Sequence, residues 1–210
     1  MLMILTSCII LLQTVVGVLL WDRLPDRIAT HFDFQNRPNG WTSKGFTVFG
    51  MPLVLLTLHW ICLLSTCAQR DGGRVYRGKV KYLLLFIIPA VSLLVTVMCY
   101  GYALNMDFPI GQMVLVFLGV LFALTGNYMP KIRRNWFAGI KLPWTLMDDE
   151  NWEKTHRMAA PVWVVCGLAL ILFGVIGYTT WLAFAVIMVM VLLPTGYSLW
   201  LHIKARKNEE

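Results

Sequence analysis

Long runs of apolar residues alternate with short polar stretches along this chain of 210 residues. A helix needs about 20 mostly apolar residues to cross the hydrocarbon core of a bilayer. Six of the runs reach or approach that length, so the pattern predicts six membrane-spanning helices, each bounded to within a few residues. The predicted spans are 1–21, 47–68, 82–104, 112–129, 159–178 and 180–201.

The overall composition supports a membrane location. The chain is 58% hydrophobic and only 14% charged, whereas about a quarter of the residues in soluble domains are charged. We therefore predict an all-α integral membrane protein. The first span lacks a basic leading region and a small-x-small motif before Trp21, so we expect it to stay in place as a helix rather than to be cleaved as a signal peptide.

The distribution of charge predicts the orientation. An even number of spans places both termini on one side of the membrane, together with the loops 69–81 and 130–158. These loops and the tail 202–210 hold 14 of the 18 Lys and Arg residues, and the positive-inside rule makes that side cytoplasmic. The basic net charge then reflects topology and anionic lipid headgroups, and nucleic-acid binding is not predicted.

The polar stretch 22–46 follows the first span and is predicted to form a small extracytoplasmic domain. Residues 28–34 alternate with a period of two, which is typical of a strand and would place His31 and Asp33 on the same face. Turn-forming residues come next, so the sequence predicts a short hairpin on the outer membrane surface. These turn formers are Asn36, Pro38 and the pair Asn39-Gly40.

The outer domain also carries candidate contacts for a partner. His31 and Asp33 could form a ligand contact or a weak metal site, but only two possible ligands are close in sequence, which favours an ordinary solvated face. Trp21 and Trp41 have the character of interfacial anchors. The outer candidates are His31, Asp33, Gly40, Trp41 and Lys44.

His59 is the one ionisable residue that lies deep in a predicted span, and such residues are functional candidates by default. A neutral imidazole bonded to a neighbouring helix is the alternative. The other spans contain no deep acid or base to form a relay with it, which argues against an ion-driven transporter. The five cysteines all fall within the spans without a CxxC pair, so we predict no metal centre and no cofactor.

Small residues recur at helical spacing in the fourth and fifth spans, where they allow close approach of two backbones. We expect these faces to clamp together the two helices that flank the central loop. The residues are Gly119, Ala123 and Gly126 in the fourth span, and Ala160, Gly167 and Gly174 in the fifth.

The loop 130–158 is far richer in polar and aromatic residues than a connection requires. Thr145 is followed by acids and later by basic residues, which predicts an N-cap and a short interfacial helix over about 146–158, before Pro161 redirects the chain. Glu153 and His156 have a spacing seen at metal sites in helix bundles. One such pair lacks the further carboxylates that a site needs, so a metal is not predicted.

The segment 126–157 resembles the signature of the bacterial SdpI family. The matching positions are Gly126, Asn127, Asn135, Gly139, Pro143, Trp144, Thr145, Leu146, Trp152 and His156. The outer stretch is similar to the small domain that accompanies this signature, at Leu24, Pro25, His31, Gly40 and Lys44. With six spans, the resemblance covers nearly the whole chain.

The resemblance implies a multi-pass protein of the bacterial cytoplasmic membrane that protects its cell from a secreted, membrane-active peptide toxin of the sporulation-delay type. It also implies that the toxin-bound protein holds a cytoplasmic repressor at the membrane and so transmits a signal. The inner candidates for that contact are Asn127, Arg133, Arg134, Asn135, Gly139, Pro143, Trp144, Thr145, Trp152 and His156.

Three other classes of function are weighed against this one. A small-molecule or peptide transporter is compatible with six spans that pair into a homo-oligomer. A membrane-embedded hydrolase would need a nucleophile with its base or a metal, but the sequence has no HExxH, no GxSxG and no intramembrane carboxylate pair, so we predict that the chain is not an enzyme. A lipid-organising protein needs no special site.

Overall fold

The computed structural model describes residues 2–33, 35–68, 80–136, 138–177 and 181–207. Six of its helices are long and apolar enough to cross a membrane, which confirms the predicted fold class. They are α1 Leu2–Leu19, α2 Met51–Ala68, α3 Val80–Ala103, α4 Ile110–Tyr128, α6 Asp149–Ile176 and α7 Trp181–Lys207, with a short α5 at Pro143–Met147. The predicted basic loop 69–81 lies outside the described residues except for its last two positions, which begin α3.

The chain forms two compact units. The first, which we call the hairpin unit, comprises residues 1–68 and 81–111. The second, which we call the loop unit, comprises residues 69–80 and 112–210.

The predicted hairpin is present in the hairpin unit. Strands β1 (Arg27–Phe32) and β2 (Pro38–Ser43) pair in antiparallel fashion, with Arg27 opposite Ser43. In the connection between the two strands, Asn36 adopts a left-handed conformation with φ 62°. The prediction that Asn39-Gly40 forms the turn was therefore wrong, because both residues lie in β2.

The simple alternation predicted for β1 was also wrong. Ile28 and Ala29 are adjacent and both buried, so both faces of the strand are covered at its start. The strand pairing then shifts between Ala29 and His31 and again between His31 and Phe32. Such bulges change which way the following side chains point. Asp33 lies beyond the end of the strand, so it does not share a strand face with His31.

The core of the hairpin unit lies where the hairpin meets α1, α3 and the helical turn Phe46–Gly50 that precedes α2. Leu24 and Ile28 from the hairpin segment pack against Val48 and Tyr100 in one buried cluster. Gly17 of α1 lets these elements approach closely, since a Cβ there would lie 2.5 Å from the Tyr100 hydroxyl and 2.8 Å from Val48. The hairpin is thus seated on the helices that carry it.

In the loop unit, α4 and α6 are in direct backbone contact. A Cβ at Gly119 would lie 2.5 Å from the Gly167 carbonyl oxygen, and one at Gly167 would lie 2.6 Å from the Ala123 amide nitrogen. Gly126 meets Ala160 in the same way, at 2.9 Å from its carbonyl oxygen. The predicted clamp of small residues between these two helices is confirmed.

The prediction of a separate helix over 146–158 was wrong. Helix α6 begins at Asp149 and continues without a break past Pro161 to Ile176. At 1.5 Å per residue it is about 42 Å long, whereas the hydrocarbon core is about 30 Å thick, so its polar first turns extend beyond that core. Its N-cap is Asp148 and not Thr145, because the Asp148 carboxylate accepts from the amides of Glu150 and Asn151.

Candidate functional site

The loop 132–148 covers the polar first turns of α6. The chain enters this loop from a short 3-10 turn, Met129–Lys131, in which Pro130 comes shortly after the end of α4. Ile132 is buried, and its carbonyl accepts a hydrogen bond from the Trp152 indole at 2.9 Å. Trp152 and His156 are 2% and 1% exposed, so the loop closes over both rings.

His156 supports the middle of this loop through both ring nitrogens. Its Nδ1 lies 2.8 Å from the Trp152 carbonyl oxygen, and its Nε2 accepts from the Ile140 amide at 3.0 Å. A carbonyl can only accept, so Nδ1 carries the proton and Nε2 is free of one. This geometry requires the neutral imidazole, which also stacks on the Trp152 ring with centroids 4.1 Å apart.

Gly139 fits against those two rings. Its φ of 121° lies in a region that favours glycine. A Cβ there would collide with His156 Nε2 and would lie 2.9 Å from the Trp152 ring. Both the backbone conformation and the available space therefore require glycine.

Two buried side chains shape the rest of the loop. The Asn135 amide donates to the Arg133 and Ala138 carbonyls at 2.7 and 3.0 Å, while its oxygen accepts from the Ala138 amide at 2.8 Å. The Thr145 hydroxyl accepts from the Leu142 amide at 2.9 Å and lies 2.8 Å from the Ile140 carbonyl. Thr145 thus holds the start of α5, although it does not cap α6 as predicted.

A hydrogen-bond network that was not predicted from the sequence joins the loop to α7. The Trp144 indole donates to the Ser198 hydroxyl at 2.7 Å, and that hydroxyl donates to the Asn151 amide oxygen at 2.9 Å. The Asn151 amide nitrogen donates to the Ser198 carbonyl, and the Thr155 hydroxyl donates to Asn151. Asn151, Thr155 and Ser198 are all buried.

One signal in the sequence pointed toward this network. Asn151 and Thr155 are four residues apart, as are Trp152 and His156. Such spacings place polar or hydrogen-bonding side chains along adjacent rows of one helix face. Nothing local indicated that Ser198, in an apolar span, would be their partner.

The exposed part of the loop presents a different surface. Arg133 is exposed, and Trp136 and Met147 are 70% and 83% exposed. Arg134 pairs with Asp149, with Nε and Oδ1 2.6 Å apart, and also donates to the Leu146 carbonyl. The Arg134 and Asp149 side chains are 37% and 79% exposed, so this solvent-accessible ion pair contributes about 0–1 kcal/mol.

Two further inner candidates are accessible. Asn127 is exposed near the end of α4, and Pro143 is exposed at the first position of α5. Trp144 is half-buried and stacks on His202 of α7 with ring centroids 5.8 Å apart. The structure thus divides the inner candidates into a buried set that shapes the loop and an accessible set on its surface.

The outer candidates have individual roles in the hairpin. One Asp33 carboxylate oxygen accepts from the Gln35 and Arg37 amides at 2.9 and 2.8 Å, which stabilises the turn. His31 is exposed and lies opposite Gly40, where a Cβ would be 2.9 Å from the His31 Cβ. No hydrogen bond joins His31 to Asp33 among the described residues.

Lys44 and Trp41 complete the outer set. The Lys44 ammonium lies 3.6 Å from an Asp26 carboxylate oxygen, 3.2 Å from the Trp21 carbonyl and 5.1 Å from the centre of the Trp21 ring. Lys44 therefore connects the end of β2 to the end of α1 through its contacts with Trp21. Trp41 is half exposed on the hairpin.

His59 occupies the interior of the hairpin unit. Its Nε2 lies 2.9 Å from the Thr6 hydroxyl of α1, and the side chain is fully buried. Its Nδ1 has no hydrogen-bond partner among the described residues. Across the part of the chain that the structure describes, no three His, Cys, Asp or Glu side chains come together at a metal-binding distance.

Comparison with known proteins decides the family. Residues 131–198 match the SdpI/YfhL protein family, and residues 8–56 match a domain of unknown function, DUF1648. The Immunity protein SdpI of Bacillus subtilis (strain 168) is 30% identical over 195 residues, covering 90% of this chain and 88% of that protein. The chain belongs to the SdpI/YfhL family. No solved structure matches it.

The two matched regions coincide with the two sites described above. The SdpI/YfhL match contains the whole hydrogen-bonded loop, from Lys131 through the Ser198 partner in α7. The second match runs through α1 and the hairpin into α2. Family membership together with six apolar helices makes this a multi-pass protein of the bacterial cell membrane.

Proposed function

We propose that this SdpI/YfhL member is an immunity protein that protects its own cell from a secreted, membrane-active peptide toxin. The main support for this proposal is the 30% identity to an immunity protein over 90% of the chain. Because that similarity spans both units, it includes the hairpin and the loop together. A role in binding, without catalysis, is consistent with a loop whose buried polar groups are engaged in hydrogen bonds with one another.

The proposed roles of the hairpin and of the loop follow from the predicted topology. The hairpin lies outside the cell, where it meets an arriving peptide, and the loop 132–148 lies in the cytoplasm. The accessible residues of the loop, Arg133, Arg134 and Trp136, are the proposed contacts for a cytoplasmic repressor. The buried residues, Trp152 and His156 among them, keep those contacts in position and do not touch the repressor themselves.

Signal transduction requires two states of the protein, with toxin bound more tightly to one of them. We propose that toxin binding shifts α4 relative to α6, the helices that enter and leave the loop. Their backbones meet through glycines at Gly119 and Gly167. A displacement along that contact would change how the loop is presented to the repressor.

Immunity is tested by expressing the chain in toxin-sensitive cells and challenging them with the purified peptide. The wild-type chain is expected to raise the survival of the cells, and unchanged killing at normal membrane levels would remove immunity to that peptide as the function.

Signalling is tested in the same cells with a reporter under the control of the repressor. Arg134→Ala and Trp144→Ala are expected to reduce induction. Arg157→Ala is the matched control, because Arg157 is also exposed in the loop unit but lies on α6 and pairs with Glu153. If both variants insert normally and keep full protection and full induction, the cytoplasmic half of the proposal fails.

A further inference from the structure

A cavity of about 370 Å³ opens in the hairpin unit between the hairpin turn and the connection from α3 to α4. Its lining includes Asn36 from the turn, Tyr102 from α3, Met106, Asp107 and Phe108 from the connection, and Ile110 at the start of α4. None of these residues was among the candidates read from the sequence. Ligand sites in proteins have volumes of about 300–1,000 Å³, so this one suits one or two side chains.

The walls of the cavity are held in place from both sides. Phe108 lies directly over Gly101 of α3, where any Cβ would collide with its ring. Asn105 takes a left-handed conformation with φ 58°, and the Met106 amide then donates to the Gly101 carbonyl at 2.9 Å. These contacts determine the path of the connection.

The turn of the hairpin is tied to the same place. The Asn36 side-chain oxygen accepts from the Gly111 amide at 2.6 Å. At the end of β1, the Phe32 ring packs edge-on against the Tyr102 ring, with centroids 5.1 Å apart. The cavity is therefore preorganised, which lowers the entropic cost of binding.

The lining combines one negative charge with aromatic and sulfur-containing surface. Asp107 is exposed and makes no ion pair with any described residue. Tyr102 and Phe108 contribute aromatic rings to the lining, and such rings attract cations. Met106 is 53% exposed and adapts to irregular apolar shapes. This combination favours a cationic group with an apolar group beside it and disfavours a phosphate.

We propose that this cavity is the docking site for an extracellular peptide, and that it receives one basic side chain together with an adjacent large apolar side chain. The inference rests on the proposed immunity function and on the predicted topology, which places the hairpin outside the cell. It adds the site of contact and the chemistry of the segment recognised. The basic group lies against Asp107, and the apolar group lies between Tyr102, Phe108 and Met106.

The test uses the full chain in dodecyl maltoside micelles, which contain no ammonium group, and a fluorescein-labelled synthetic hexapeptide amide, Lys-Phe-Leu-Lys-Phe-Leu. Asp107→Asn is expected to weaken binding about fivefold, as loss of an exposed charge contact of about 1 kcal/mol implies. Asp107→Lys is expected to weaken it more than tenfold, because repulsion replaces attraction. Asp22→Asn, which removes an exposed carboxylate of the same unit outside the cavity, should leave the affinity unchanged.

Three outcomes would overturn the proposal. One is the absence of saturable binding to the wild-type chain, and another is equal affinity in the wild type and all three variants. The third is loss of peptide binding when phosphatidylethanolamine is added to the micelles, since the cavity would then hold a lipid ammonium group. The Asp107 variants should melt at the wild-type temperature, because that side chain is exposed and unpaired.

Survival assays separate this inference from the proposed function. If the wild-type chain protects cells and Asp107→Lys protects them equally well, the cavity is not the docking site, although immunity stands. If the wild-type chain gives no protection, the immunity function fails, and the hexapeptide measurements still decide whether the cavity binds a cationic peptide.

Discussion

Gly139 and His156 show how single residues determine the shape of the loop. The imidazole accepts the Ile140 amide through Nε2, donates to the Trp152 carbonyl through Nδ1, and is 1% exposed. Gly139 leaves the space that this ring occupies. Removing the hydrogen-bond partner of a buried backbone amide costs about 1–3 kcal/mol of stability. Small changes at these positions therefore have large effects on the stability of the loop.

We predict that Gly139→Ala destabilises the loop unit by about 1–3 kcal/mol, since an alanine there combines an unfavourable φ with a collision. Denaturant unfolding in detergent measures the change. Gly196→Ala is the matched control, because Gly196 lies in α7 with nothing within 4 Å of its Cβ position. An alanine at 139 as well tolerated as one at 196 would contradict the geometry described for the loop.

We predict that His156→Phe keeps the ring stack on Trp152 but leaves the Ile140 amide without its acceptor. Hydrogen exchange at Ile140 should then become faster by at least tenfold, which corresponds to about 1.4 kcal/mol. The same substitution at the exposed His31 serves as control and should not change exchange at Ile140. Unaltered protection of that amide in the His156 variant would show that Nε2 is not its partner.

At the scale of elements, helices α4 and α6 are joined by glycines, and α5, α6 and α7 are joined by a polar network. Tight backbone contact suits a membrane protein, because helix packing in lipid depends on van der Waals contact and hydrogen bonds rather than on the hydrophobic effect. The network closes through Asn151, which bonds both the side chain and the backbone of Ser198. These contacts hold the helices that flank the loop.

We predict that Gly167→Val forces α4 and α6 apart, because a Cβ at residue 167 would already lie 2.6 Å from the Gly119 carbonyl oxygen. Overpacking of this kind costs about 1–3 kcal/mol. The thermal stability of the detergent-solubilised protein should fall, whereas Gly196→Val, which meets open space, should lower it less. Equal losses in the two variants would mean that the glycine contact is dispensable.

We predict that Asn151→Ala and Ser198→Ala are not additive, because the two residues share two hydrogen bonds. A double-mutant cycle on unfolding free energies should give a coupling of about 0.5–3 kcal/mol. A cycle between Asn151→Ala and Gly196→Ala provides the reference and should give a coupling near zero. Additive effects for the first pair would contradict the network.

At the scale of the whole molecule, the charge pattern predicts which surfaces meet the two sides of the membrane. The predicted cytoplasmic side holds 14 of the 18 Lys and Arg residues. The proposed function depends on this orientation, since the hairpin must face an extracellular peptide and the loop a cytoplasmic partner.

We predict that Trp41→Cys reacts with a membrane-impermeant maleimide in intact cells, whereas Trp136→Cys reacts only after the cells are opened. Both tryptophans are at least half exposed, at 50% and 70%, so the barrier to labelling is the membrane and not burial. The wild-type chain serves as the control, because it shows how much labelling comes from the native cysteines. Labelling with the opposite pattern would invert the topology and exclude the proposed roles of both surfaces.

The sequence by itself determined the six spans, the presence of a hairpin and the small-residue contact between the fourth and fifth spans. These features depend on the composition and spacing of residues near one another in the chain, because insertion into hydrocarbon depends on local apolar length and close packing depends on small residues at helical spacing. Family resemblance added the segments that are proposed to carry function. The comparisons confirmed that family.

Only the tertiary structure decided which polar residues are partners. Ser198 and Asn151 are 47 positions apart, and no local pattern relates them. The same holds for Gly111 and Asn36, which are 75 positions apart and of which Asn36 lines the cavity. The physical reason is that a buried hydrogen bond depends on where the packed helices bring its donor and acceptor, whereas partition into the membrane depends on each segment alone.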